Sequence, residues 1–230
     1  MLSASRLWST SVHVVSSALL LTGDKSKINK VTRRRRDAAD LETRVERLPL
    51  RVHEFLAGVP LHDGWAVDLP RSRSGITLDE YLRVASARPL TLPPLARALL
   101  NIRLFVGRLL GWDREPAATA LETFATRLTD VDRSRSLVLA GTREGHFRVI
   151  YSFENEQLLE LINHTVHAAA LSALVETTNA YRFYFGVYVR GGSRFTAVYM
   201  ALIDPFRKLV VYPSLLRTVR VSWNQAFGPV

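Results

Sequence analysis

The sequence predicts an α+β domain in which a curved antiparallel β-sheet wraps around a long, proline-kinked C-terminal helix, with two helices after the first strand. Three observations carry that expectation. Four strand-like runs between His146 and Arg190 are joined by very short links. An amphipathic pattern then runs from Phe195 to Trp223, interrupted by Pro205 and Pro213. Two helical patterns follow the first strand-like run. Links this short demand antiparallel neighbours, because a parallel crossover takes a dozen residues or more.

The first strand is "DGWAVDLP", Asp63 to Pro70, which alternates and stops at a proline. After the loop "RSRSG", Thr77 precedes Glu80 by three residues, the spacing of a capping box, and opens a helix to about Ala87. Pro94 opens a longer helix. Leu95, Leu99, Ile102, Val106 and Leu109 form its apolar stripe, and Gly111 ends it. Residues 112–145 have no dominant period: "AATALETFATRL" favours helix and "SLVLAGTREG" reads as strand or loop.

The meander follows. "HFRVIYSF" alternates, which places Phe147, Val149, Tyr151 and Phe153 on one face. "EQLLELI" (Glu156 to Ile162), "TVHAAALSALV" (Thr165 to Val175) and "YRFYFGVYVR" (Tyr181 to Arg190) complete it. In the last strand Tyr181, Phe183 and Phe185 share one face, and Tyr184 and Tyr188 take the other.

In the closing helix, Thr196 is the candidate N-cap. Phe195, Val198, Tyr199, Leu202 and Ile203 form one stripe, which Phe206, Leu209, Val210, Pro213 and Leu216 extend. Proline removes a helical hydrogen bond and crowds the preceding turn, so Pro205 predicts a kink and Pro213 a second kink or the helix end. On one ideal wheel Arg217 and Arg220 would lie inside the apolar stripe; they point outward only if the helix changes direction near Pro213.

Three segments result: a basic, disordered extension over 1–48, a domain over 49–223 and a tail over 224–230. The net charge is +10. Residues 1–48 supply half of it, with ten Lys/Arg against five Asp/Glu, including the run Arg33, Arg34, Arg35 and Arg36. Residues 180–230 carry seven cations and one anion. Basic ends suit anionic lipid or phosphate, or simply keep the chain soluble. The apolar run Val12 to Leu21 is too short to span a bilayer, and no small-residue cleavage site follows it.

With no cysteine, the chain has no disulfide, thiolate nucleophile or Cys-ligated metal. No zinc-binding H-E-x-x-H, Walker loop, dinucleotide fingerprint or G-x-S-x-G elbow occurs, so no cofactor is expected. His164 and His167 are three apart and would face opposite sides of a strand, which rules against a shared metal. The expected setting is cytoplasmic. Aromatics interleaved with arginines in "YRFYFGVYVR" can stack nucleobases, but equally suit a strand buried on one side. Nucleic acid is not the favoured partner.

The order of strand, two helices, meander and closing helix resembles the helix-grip fold of the START-like (SRPBCC) superfamily. More narrowly, three stretches are similar to the bacterial family called domain of unknown function 2867. They are "LPPLARALLNIRLFVGRLLG", with Ile102-Arg103 in the place of a leucine-arginine pair; "FRVIYSFENEQLLELINHTVHAAALSAL"; and "FTAVYMALIDPFRKLVVYPSLLR", with Pro205, Phe206, Arg207 and Lys208 at its core. Where that family often has His-x-Asp early in a central strand, this chain has Thr165 and His167. The resemblance implies binding of a lipid-like or aromatic small molecule between sheet and helix, and implies no defined reaction.

The expected cavity is lined by Tyr151, Phe153, His167, Phe183, Phe185, Tyr199 and Ile203, with His167, Thr165 and Arg103 orienting the guest. His167 on an apolar face reads either as a ligand or proton-transfer group or as a satisfied core histidine. Glu160 reads as an acid of raised pKa, as solvent-facing, or as a partner of Arg103. An enzyme using His167, and attachment to an anionic membrane through the basic ends, are the alternative functions.

Overall fold

The computed structural model describes residues 48–86, 123–162, 167–190 and 212–228. The predicted helix from Pro94, the N-terminal extension up to residue 47, and Pro205 with its expected kink lie outside the described residues. The described elements are α1 (Arg51–Phe55), β1 (Leu61–Pro70), α2 (Leu78–Ser86), a 3-10 turn (Phe124–Arg127), α3 (Asp130–Arg135), β2 (Arg143–Glu144), β3 (Phe147–Ser152), β4 (Glu156–Ile162), β5 (His167–Glu176), β6 (Ala180–Val189) and α4 (Tyr212–Phe227). No helix among them is long and apolar enough to cross a membrane.

The strands form one six-stranded sheet in the order β1-β6-β5-β4-β3-β2. Every pairing is antiparallel. The meander β3 to β6 follows from its short links, as expected, and β2 extends it at the edge. At the β2–β3 turn, Gly145 takes φ 62°, the left-handed region that glycine enters without a Cβ clash. The first strand closes the order at the far side: Trp65 pairs with Phe185 and Leu69 with Tyr181, so β6 becomes interior. The architecture is α+β, an antiparallel sheet with a C-terminal helix on it.

Both faces of the sheet are covered. The front face meets α2 and α4; its core holds Val67, Phe147, Leu159, Ala170, Phe183 and Trp223, among others. The back face meets α1 and the 3-10 turn, and its core includes Phe55, Phe124, Tyr151, Leu158, Leu171 and Tyr184. This explains the near-continuous apolar reading of β5, whose residues His167 to Leu174 are all buried.

The structure corrects the expected alternation of β3. Val149 pairs with Leu159, but Tyr151 pairs with Leu158, so the register shifts between them. An inserted residue in one strand reverses which side the following residues face. Phe147 and Val149 therefore lie in front, while Ile150, Tyr151 and Phe153 lie behind.

Helix α2 begins as the sequence indicates, with Thr77 Oγ1 accepting from the Glu80 N–H at 3.1 Å. The reciprocal half of the box does not form; the Glu80 carboxylate pairs with Arg73 instead. Its inward side chains are Leu78, Tyr81 and Ala85. Helix α4 packs beside it through Leu215, Val219, Ser222 and Trp223, a three-and-four spacing. The Trp223 indole N–H donates to Pro70 O at 2.9 Å. Its ring lies 5.2 Å from Tyr181 and 5.5 Å from Tyr81. Tyr81 shares a 2.7 Å hydrogen bond with Ser222 Oγ, and burial pushes its phenol up to about 12.

Of the expected stripe's described members, Leu216 packs half-buried against the same core, while Pro213 does not. Pro213 is exposed in the described part of α4, and Arg217 and Arg220 face solvent. The helix also continues past Trp223 to Phe227, whose ring meets that indole at 4.9 Å.

Candidate functional site

Strand β4 presents Glu156 and Glu160 to the back face, and each grips a backbone segment. Glu156 Oε1 accepts from Val52 N and Oε2 from Arg51 N, both at 2.8 Å. It also accepts from the Tyr151 hydroxyl at 2.6 Å. Burial raises the Glu156 pKa, and these three hydrogen bonds oppose the rise. Tyr151 is raised well above the ordinary phenol, first by burial and then by the Glu156 charge. Glu160 Oε1 accepts from Phe124 N at 2.6 Å, at the start of the 3-10 turn, and contacts His167 Nε2 at 2.8 Å.

Carboxylates suit these positions because the first N–H groups of a helical turn have no partner within it. Asp132 completes the back layer. It closes a capping box with Thr129 and binds Arg51 with both oxygens, at 2.9 and 3.0 Å. The Arg51 hydrogen bond, aided by Thr129, holds the Asp132 carboxyl down at about 2.

The structure divides the residues expected to line one cavity. Tyr151, Phe153 and His167 lie behind the sheet. Tyr151 and Phe153 stack with ring centroids 4.5 Å apart, and the His167 ring lies 4.2 Å from Phe124. Phe183 and Phe185 lie in front, within the core that α2 and α4 cover. One cavity cannot be bounded by both sets, since the sheet stands between them. Arg103, Thr165, Tyr199 and Ile203 lie outside the described residues. Glu160 is buried against His167, neither solvent-facing nor free for another role at Oε1. His167 Nδ1 is buried and has no hydrogen-bond partner.

On the front face a different group assembles. Ser152 pairs with Gln157, and Gln157 with Ser172, so these three polar side chains form a row across β3, β4 and β5. All three are buried. Ser152 Oγ and Gln157 Nε2 have no hydrogen-bond partner. Beside them on β5, Ala168 and Ala170 continue the same face as Ser172 with small side chains. Gln157 was legible in principle: it shares alternation with Leu159 and Leu161, and a polar residue in an apolar register invites a reason. Ser152 was hidden by the register shift in β3.

This is an antiparallel sheet buried on both faces, with back-face carboxylates used as clamps and front-face polar groups left open. The chain belongs to the family described as "Protein of unknown function (DUF2867)", whose model matches residues 55–214. No curated protein and no solved structure matches it.

Proposed function

We propose that the front face binds a small, largely apolar molecule with an oxygen-bearing end, held between the sheet and the C-terminal helix. One observation carries this reading: Ser152 Oγ and Gln157 Nε2, neighbours in register, are buried beside an apolar core without partners. A buried polar group without a hydrogen bond costs about 1–3 kcal/mol, so a pair of them calls for something that answers both. A carbonyl or hydroxyl oxygen accepts from Gln157 Nε2 and engages the Ser152 hydroxyl. The apolar body would run along β5, where Ala168, Ala170 and Ser172 present small side chains on the same face. The strand order and the seating of α4 against β1, with Trp223 meeting Tyr181 of β6, support a helix-grip arrangement of START-like type.

Native mass spectrometry of freshly purified protein tests the reading. The expected result is a retained small molecule in the wild type that is lost in Gln157→Leu. A bare chain in both, or an ordered water bridging Ser152 Oγ and Gln157 Nε2 in a high-resolution crystal structure, would overturn it.

A second reading follows from the Glu160–His167 contact. Glu160 fixes the imidazole through Nε2 and leaves Nδ1 as the free nitrogen, the arrangement of an oriented acid–base group. In that reading His167→Gln abolishes turnover while ligand affinity stays near normal.

A further inference from the structure

We infer that Glu144 is a second anchor on the front face and receives the ammonium end of an amphiphilic guest. This rests on the front face being the ligand site. Glu144 pairs with Phe147, and paired residues in an antiparallel ladder point to the same side. Phe147 belongs to the front core, so the Glu144 side chain enters that face. The residue is 4% exposed, and neither carboxylate oxygen has a hydrogen-bond partner.

Among the described residues, the surrounding charges do not answer it. Arg143 and Arg148 form the adjacent register pair, and alternation sends both to the other side. His146 is exposed in the turn. On α2, Arg83 is paired with Asp79, and Arg73 reaches Glu80. On α4, Arg217 and Arg220 face solvent. Burial alone moves the Glu144 carboxyl, up to about 7, and no neighbouring charge contributes. Among the described residues this buried acid is thus left without a cation.

Geometry sets the guest's shape. From Gln157 to Leu161 along β4 is four residues, about 13 Å at the ordinary rise of a strand. Leu161 is next in register beyond the Arg148–Glu160 pair, beside Phe147 and hence Glu144. The Ser152–Gln157 row and Glu144 therefore bracket an apolar stretch holding Val149, Leu159 and Leu161. An oxygen at one end of the guest meets Gln157. The other end must satisfy two carboxylate oxygens. A hydroxyl has one proton and leaves one oxygen bare, whereas an ammonium has three and serves both.

The test compares decylamine, decanol and decanoate by calorimetry on the full chain, with Glu144 followed by carboxyl-carbon NMR titration. Decylamine is expected to bind about tenfold more tightly than decanol. That preference should vanish in Glu144→Gln, whose fold is checked by circular dichroism. Saturation with decylamine should also move the Glu144 titration down. Equal affinity for decylamine and decanol, a preference surviving in Glu144→Gln, or an unmoved titration would each overturn the anchor while leaving the front-face site standing. Failure of all three probes to bind would remove both.

Discussion

The two faces of this sheet treat buried polar groups in opposite ways. Behind it, Glu156, Glu160 and Asp132 are each hydrogen-bonded, to backbone donors or to Arg51. In front, Glu144, Ser152 and Gln157 are buried with polar atoms that meet nothing. The same strands supply both sets. Glu156 and Gln157 are adjacent in sequence, yet the first has a partner at each oxygen and the second has an amide nitrogen without one. The buried polar residues described here thus divide into those that fasten local structure and those with an atom that makes no hydrogen bond. The division is not complete, since His53 Nε2 and His167 Nδ1, on the back-face side, also lack partners.

Substitutions can break or sharpen this contrast. The largest effect should come from Trp223→Ala, which empties the middle of the front core and removes the bond to Pro70. A loss of about 3–5 kcal/mol is expected by urea denaturation. A loss under about 1 kcal/mol would mean that α4 is only loosely seated. Next, Glu156→Ala strands Arg51 N, Val52 N and the Tyr151 hydroxyl, and should cost about 3–4 kcal/mol. If Glu144→Ala costs as much, the contrast between clamp and open group fails.

Glu144 also predicts a pH dependence. Its folded pKa, about 7, is above its ordinary value of 4.5, so the folded state holds the proton more tightly. Stability is then fully present below pH 4.5 and falls as pH rises through about 7, by roughly 3 kcal/mol. Glu144→Gln should flatten that slope in denaturation curves taken between pH 4 and 8. An unchanged slope would assign it to other groups. Asp132 acts oppositely: its lowered pKa stabilises the fold above pH 3.8, and that contribution is lost as pH falls through about 2. The smallest effect on stability should belong to Ser152→Ala and Gln157→Leu. Each should change denaturation by less than about 1 kcal/mol, or stabilise slightly, because no protein partner is stranded. A loss above about 2 kcal/mol would show these groups to be structural after all.

Much of the sheet was legible because its signals are local. Short links fix antiparallel neighbours, and alternation in β6 sorts Tyr181, Phe183 and Phe185 from Tyr184 and Tyr188 correctly. What the sequence hid is non-local. Nothing in "VIYSF" announces the extra residue, because a register shift is set by the partner strand. Without it, Tyr151 and Phe153 fall on the same side as Phe147, and the candidate cavity gathers residues from both faces. The back layer was hidden for another reason. Its elements are too short to show a period, and only capping chemistry marks them, as in Thr129 followed by Asp132 three residues on. The clamps Glu156 and Glu160 answer donors 104 and 36 residues away in the chain, beyond any pattern of spacing.

The shift between Val149 and Tyr151 sets how that strand can vary. The extra residue is what lets two successive side chains, Ile150 and Tyr151, both turn to the back face. Without Ile150, Tyr151 would follow Val149 directly and still stand opposite Leu158, so the phenol that answers Glu156 and the serine beside Gln157 would keep their sides. Deletion of Ile150 should therefore spare the pairing of β3 with β4 and cost chiefly the packing of one buried side chain.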